Sequence, residues 1–68
     1  MRMQTYQALF SRPENVARVQ QARRAIEQAG GKVIIGAPAK NGMITVILTL
    51  PETSSPDDFL PGLPFYPV

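Results

Sequence analysis

The C-terminal quarter of the chain most limits what this sequence can fold into, because it is rich in proline. The segment 51–68 holds five prolines among its 18 residues. Proline has no N–H to donate and its ring obstructs the preceding helical turn, so this segment forms neither a long helix nor a central strand. Ser54 or Ser55 followed by Pro56-Asp57-Asp58 predicts one short helical turn. The main elements must therefore come from residues 1–50.

Three strands are predicted within residues 1–50. Gln4 to Phe10 alternates apolar and polar residues, and Lys32 to Ala37 and Met43 to Leu50 are rich in β-branched residues. Asn41-Gly42 between the last two is a strong hairpin signal. The faces expected to be buried carry Tyr6, Ala8 and Phe10 on the first strand and Ile44, Val46, Leu48 and Leu50 on the third.

One helix is predicted between the first two strands. Ser11 followed three residues later by Glu14 has the spacing of a capping box, so the helix is expected to begin there and run to about Ala29. Glu14 and Arg18 stand four residues apart, which favours an ion pair. Gly30-Gly31 ends the helix, because glycine adopts the left-handed cap conformation without a Cβ clash. The apolar stripe contains Val16, Val19, Ala22, Ile26 and Ala29.

The fold class is therefore α+β, a β-α-β-β core with one helix on an antiparallel sheet. If segment 51–68 adds a short fourth strand, the result is a compact ferredoxin-like sandwich with a degenerate second helix. We expect residues 1–50 to form the domain and the proline-rich segment to pack on it or on a partner. If segment 51–68 adds no strand, the sheet face bearing Met43 and Ile47 stays partly open. Such faces are commonly closed by dimerisation.

Residue types that carry much of enzyme chemistry are missing from the 68 residues, which contain neither cysteine nor histidine. This removes thiol nucleophiles, the commonest metal ligand and the usual general base near neutral pH. Asp57-Asp58 with Glu52 could form a carboxylate site, but the first turn of a short helix explains the pair better. We predict no enzyme activity, cofactor or metal, and a reducing, cytoplasmic location.

A membrane segment is not expected either. Met1 to Phe10 mixes Arg2, Gln4 and Thr5 with its apolar residues, unlike a signal-peptide core. The longest apolar stretch is far shorter than the roughly 20 residues needed to cross a bilayer. The sequence therefore predicts a soluble protein without a membrane partner.

Charge is distributed unevenly along the chain. Residues 1–32 carry six basic and two acidic side chains, a net charge of +4, whereas residues 33–68 carry one basic and three acidic ones, a net charge of −2. Arg18, Arg23 and Arg24 on the helix are the candidate anion-binding residues. Arg18 and Arg24 lie about 120° apart around a helix, so a solvated helix face is favoured over a nucleic-acid interface.

Two segments are the candidates for binding a partner, and both are apolar. One is the open face of the third strand, and the other is the C-terminal segment, which is either an extended ligand for an apolar groove or a cover over that open face. The candidate partner-binding residues are Met43, Thr45, Ile47, Leu63, Phe65, Tyr66 and Val68.

Residues 4–50 resemble the subtilisin-propeptide-like inhibitor family. The shared elements are the first strand Tyr6–Phe10, the helix that closes at Ala29-Gly30-Gly31, and the hairpin Val33–Leu50 around Asn41-Gly42. The family's second helix is well formed, whereas this chain has room for one turn. The resemblance implies a ferredoxin-like fold, with Leu63–Val68 as a tail that enters a protease's substrate groove.

These observations predict a small non-catalytic interaction or regulatory module that self-associates, as a homodimer, or binds another protein. The alternatives are a subtilisin-propeptide-like inhibitor or folding assistant, and weak nucleic-acid binding through the helix arginines.

Overall fold

The structure is a computed structural model that describes residues 2–68, and within that range one α-helix packs on a four-stranded antiparallel sheet. The sheet has the order β2-β3-β1-β4, so β1 and β3 are its central strands. The predicted α+β class and β-α-β-β order are confirmed, and the C-terminal segment adds the fourth strand. The elements are β1 Met3–Phe10, α1 Pro13–Gln28, β2 Lys32–Ile35, β3 Ile44–Pro51, a 3-10 helix Pro56–Asp58 and β4 Tyr66–Pro67.

The register of the central strands sorts the side chains as their alternation predicts. Ala8 lies opposite Val46 and Phe10 lies opposite Ile44, so the apolar residues of β1 and β3 share the side that faces α1. Tyr6, opposite Leu48 in this row, is only half-buried. The buried core on this side consists of Ala8, Phe10, Val19, Ile26, Val33, Val46, Leu48, Leu50 and Leu60.

The end of α1 confirms the predicted role of the two glycines. The Gly31 N–H donates to the Ile26 carbonyl at 2.9 Å and the Gly30 N–H donates to the Glu27 carbonyl at 3.0 Å, which is the Schellman pattern. Gly30 has a φ of 91°. A Cβ on Gly31 would lie 2.6 Å from the Thr49 carbonyl oxygen and 2.8 Å from Ile26 Cγ2. The close approach of helix and sheet therefore requires glycine at position 31.

The start of α1 differs from the prediction. The helix begins at Pro13 with Arg12 as its N-cap, so Ser11 lies one residue too early to cap it. Glu14 lies 3.8 Å from the Arg12 guanidinium. The expected ion pair with Arg18 is replaced by a bond from Arg18 to the C-terminal segment.

The turn at Asn41-Gly42 between β2 and β3 forms as predicted, but the loop that contains it is longer than predicted. The Gly42 N–H donates to the Ala39 carbonyl at 2.9 Å, and the Asn41 side chain accepts a hydrogen bond from the Met43 N–H at 3.0 Å. Gly42 has a φ of 82°, which glycine adopts without strain. β2 ends at Ile35, two residues earlier than predicted.

The C-terminal segment packs on the same side of the sheet as α1. Leu60 is fully buried in the core, and the rings of Phe10 and Phe65 meet edge to face with centroids 5.8 Å apart. The Arg18 guanidinium donates to the Pro61 carbonyl at 2.9 Å, which ties the segment to the helix. Of the two alternatives for this segment, a cover over the open face is not found, because its larger apolar side chains fill the space beside α1.

Candidate interaction surface

The open face is defined here as the side of the sheet turned away from α1. The strand register brings Ile34 of β2 opposite Ile47 of β3, Ile47 opposite Gln7 of β1, and Gln7 opposite Tyr66 of β4. These four residues form one row across the sheet. By the same alternation the open face carries Met3, Thr5, Gln7, Leu9, Lys32, Ile34, Thr45, Ile47, Thr49, Pro51, Tyr66 and Val68.

Large exposed apolar side chains are concentrated on the open face. Among residues 2–68 there are five of them, and all five belong to this face, with exposed fractions between 44 % and 71 %. They are Met3, Leu9, Ile34, Tyr66 and Val68. Several large apolar side chains exposed on one face favour an interaction site, whereas singly scattered apolar residues are ordinary on a protein surface.

The predicted partner-binding residues separate into two groups. Thr45 and Ile47 lie at the centre of the open face and are half-buried by their neighbours, and Met43 is half-buried just before β3. Tyr66 and Val68 lie exposed at the β4 edge of the same face.

Leu63 and Phe65 pack against the core on the other side, where they are half-buried. The C-terminal segment therefore contributes both to the scaffold and to the candidate surface, with Phe65 and Tyr66 on opposite sides of the sheet.

Of the five large exposed apolar side chains on the open face, sequence reasoning missed three: Met3, Leu9 and Ile34. The signal was present for Leu9, because it stands between Ala8 and Phe10 and must point the other way. It was weaker for Ile34, since Val33-Ile34-Ile35 is apolar throughout and its two faces look alike.

The candidate anion-binding arginines do not form a cluster. Arg18 reaches the Pro61 carbonyl on one side of α1, whereas the Arg23 guanidinium donates to the Val33 carbonyl of β2 at 3.2 Å. Arg24 is exposed on the helix. Two of the three guanidinium groups are therefore bound to different parts of the scaffold.

One of the acidic residues in the C-terminal segment, Asp58, caps the 3-10 helix. Asp58 accepts a hydrogen bond from the Ser55 N–H at 2.9 Å, which closes the start of the 3-10 helix. Within the described range, residues 2–68, there is no group of three or more metal-ligating side chains and no concave pocket. In the same range no helix is long and apolar enough to cross a membrane.

Comparisons of the chain with protein-family models, curated proteins and solved structures found no match.

Proposed function

We propose that this chain is a small non-catalytic interaction module that self-associates through its open face. The observation that carries the proposal is the position of the five large exposed apolar side chains on one side of the sheet. Burial of such side chains is the main favourable term in protein association. A cytoplasmic location belongs to the same proposal and rests on the absence of cysteine from the sequence.

The charge of the open face favours a second copy as the partner. Among its strand residues within the described range, Lys32 is the only charged one, and it lies at the β2 edge. The polar residues between the apolar ones are threonines and Gln7, which carry no charge. A neutral face can stack on its own copy without like-charge repulsion, whereas a strongly charged partner would find no complementary charge there.

The test is the oligomeric state of the protein and of Leu9→Glu, measured by sedimentation equilibrium. Leu9 is 47 % exposed on the central strand β1, so the charge is tolerated by the monomer but not by an apolar interface. We expect the original chain to dimerise at high micromolar concentration. Leu9→Glu should stay monomeric, with the Tm that the original chain has when it is dilute. Ala25→Glu, on the exposed side of α1, is the matched control and should still dimerise. A monomeric original chain would contradict the proposal.

Inhibition of a subtilisin-like protease is a second candidate function. The strand order β2-β3-β1-β4 supports a ferredoxin-like arrangement, in which segment 52–65 stands where the second helix would be. The tail Leu63–Val68 would have to leave the sheet to enter a protease, because the Val68 N–H donates to the Thr5 carbonyl at 2.9 Å.

A protease assay separates the two functions. An inhibitor would slow a subtilisin-like enzyme, and deletion of Pro64–Val68 would remove that effect. Full protease activity at high micromolar concentrations of the chain would exclude inhibition.

A further inference from the structure

The outer edge of β2 is occupied by a side chain. Hydrogen-bonded pairs alternate along an antiparallel ladder, and the Gly36 N–H donates to the Thr45 carbonyl at 2.9 Å. Ile34 therefore pairs with β3, while the backbone groups of Val33 point outward. Arg23 binds the outward Val33 carbonyl at 3.2 Å. A strand that added to this edge would have to displace the Arg23 guanidinium.

The outer edge of β4 lacks a donor at the corresponding position. The Val68 N–H donates to Thr5, so by the same alternation Tyr66 pairs with Gln7 and the backbone of Pro67 faces outward. Proline has no N–H, and natural sheets use it to block pairing at their edges. β4 also has only two residues. Neither edge is therefore suited to pairing with a strand of another molecule.

The side of the molecule formed by α1 exposes no large apolar side chain among residues 2–68 that could pack on the open face. The large exposed apolar side chains of residues 2–68 all lie on the open face, so a second copy presents a complementary apolar surface only there. The exposed side of α1 carries polar and charged residues, among them Gln20, Arg24 and Glu27.

We infer that two copies stack open face on open face, as an isologous sheet-on-sheet dimer. This inference rests on the proposed self-association and specifies its geometry. The four strands have eight, four, eight and two residues. At about 3.3 Å per residue and about 4.8 Å between strands they give a face of about 350 Å² per copy. The dimer would bury about 700 Å² in total, below the size of a stable specific interface, so it should be weak and transient.

Single-cysteine cross-linking tests this geometry, because the chain has no cysteine of its own. Gln7→Cys lies at the centre of the open face, where stacked sheets are about 10 Å apart. A bismaleimide with a spacer of about that length should convert most of Gln7→Cys to covalent dimer. Gln20→Cys, exposed on α1, should not cross-link with itself or with Gln7→Cys.

The outcomes separate the inference from the proposed function. A dimer in which Gln7→Cys links only to Gln20→Cys would overturn face-to-face stacking and keep self-association through the open face. A chain that remains monomeric would end both.

A second experiment removes the two groups that block strand pairing at the outer edges of β2 and β4. Arg23→Ala combined with Pro67→Ala should keep the face-to-face dimer and add larger species at high concentration, because both edges can then pair. Arg24→Ala combined with Pro64→Ala is the matched control and should behave like the original chain. A tighter dimer without larger species in the Arg23→Ala, Pro67→Ala variant would show that the copies already pair through their edges and would overturn the inference.

Discussion

The two faces of this sheet are built by the same strands and differ in what covers them. On one face α1 and the C-terminal segment bury Leu48 and Leu50 completely. On the other face Ile47, adjacent to Leu48 in β3, is half-buried by its neighbours within the sheet, and Ile34 is 62 % exposed. The difference shows that an apolar strand residue stabilises the monomer only where a second layer lies on it, and is otherwise available for association.

The C-terminal segment extends this comparison, because it covers one face without a second α-helix. Leu60 and Phe65 supply apolar area beside α1, and proline restricts the unfolded chain, which lowers the entropy lost on folding. A proline-rich segment can therefore serve as a packing layer in a domain of this size.

The largest expected effect comes from truncating adjacent residues on the two faces. Leu48→Ala should lower the free energy of unfolding by about 4 kcal/mol, since it leaves a cavity among fully buried side chains. Ile47→Ala should lower it by less than about 1 kcal/mol in the monomer, because its side chain has no layer above it. Urea denaturation at low micromolar protein measures both. Equal losses would mean that the open face is covered in the monomer.

A smaller effect is expected where helix and sheet approach each other most closely. Gly31→Ala should destabilise by about 2 to 3 kcal/mol, because the new Cβ would lie 2.6 Å from the Thr49 carbonyl oxygen. Gly42→Ala is the control, since its φ is 82° but no atom lies within 4 Å of the added Cβ. It should cost about 1 kcal/mol for backbone strain alone. Thermal unfolding compares the two, and a Gly42→Ala variant that is the less stable one would contradict the close-approach argument.

The smallest of the three effects concerns the adjacent aromatic residues of the C-terminal segment. Phe65→Ala should lower the free energy of unfolding by about 2 kcal/mol, since the ring is half-buried against Phe10. Tyr66→Ala should leave monomer stability within about 0.5 kcal/mol and weaken the dimer instead. Denaturation and sedimentation of the same samples separate the two effects. If only Phe65→Ala weakened the dimer, the interface would lie on the α1 side of the sheet, which would contradict the proposal.

Local patterns predicted most of the scaffold. The alternation of Ala8 and Phe10, the stripe of Val19 and Ile26, and the Gly30-Gly31 cap each follow from neighbours along the chain, and each is found in the structure. Such features depend on backbone geometry within one element, so a single sequence is enough to find them.

Features that depend on contacts between elements were predicted less well. Arg18 binds Pro61, 43 residues away, in place of Glu14 four residues away. Leu63 and Phe65 were expected to bind a partner together with Tyr66 and Val68, yet the sheet separates the two pairs. No local pattern reveals on which side of a sheet an irregular segment will pass.

The sequence by itself determined the α+β class, the order of the first three strands and the helix, and the end of α1 at two glycines. Only the tertiary structure decided that the proline-rich segment packs beside α1 and that Met3, Leu9 and Ile34 share the open face. The physical reason is that periodicity specifies which residues of an element share a face, whereas the choice of the face that is covered depends on the total apolar area buried by all elements together.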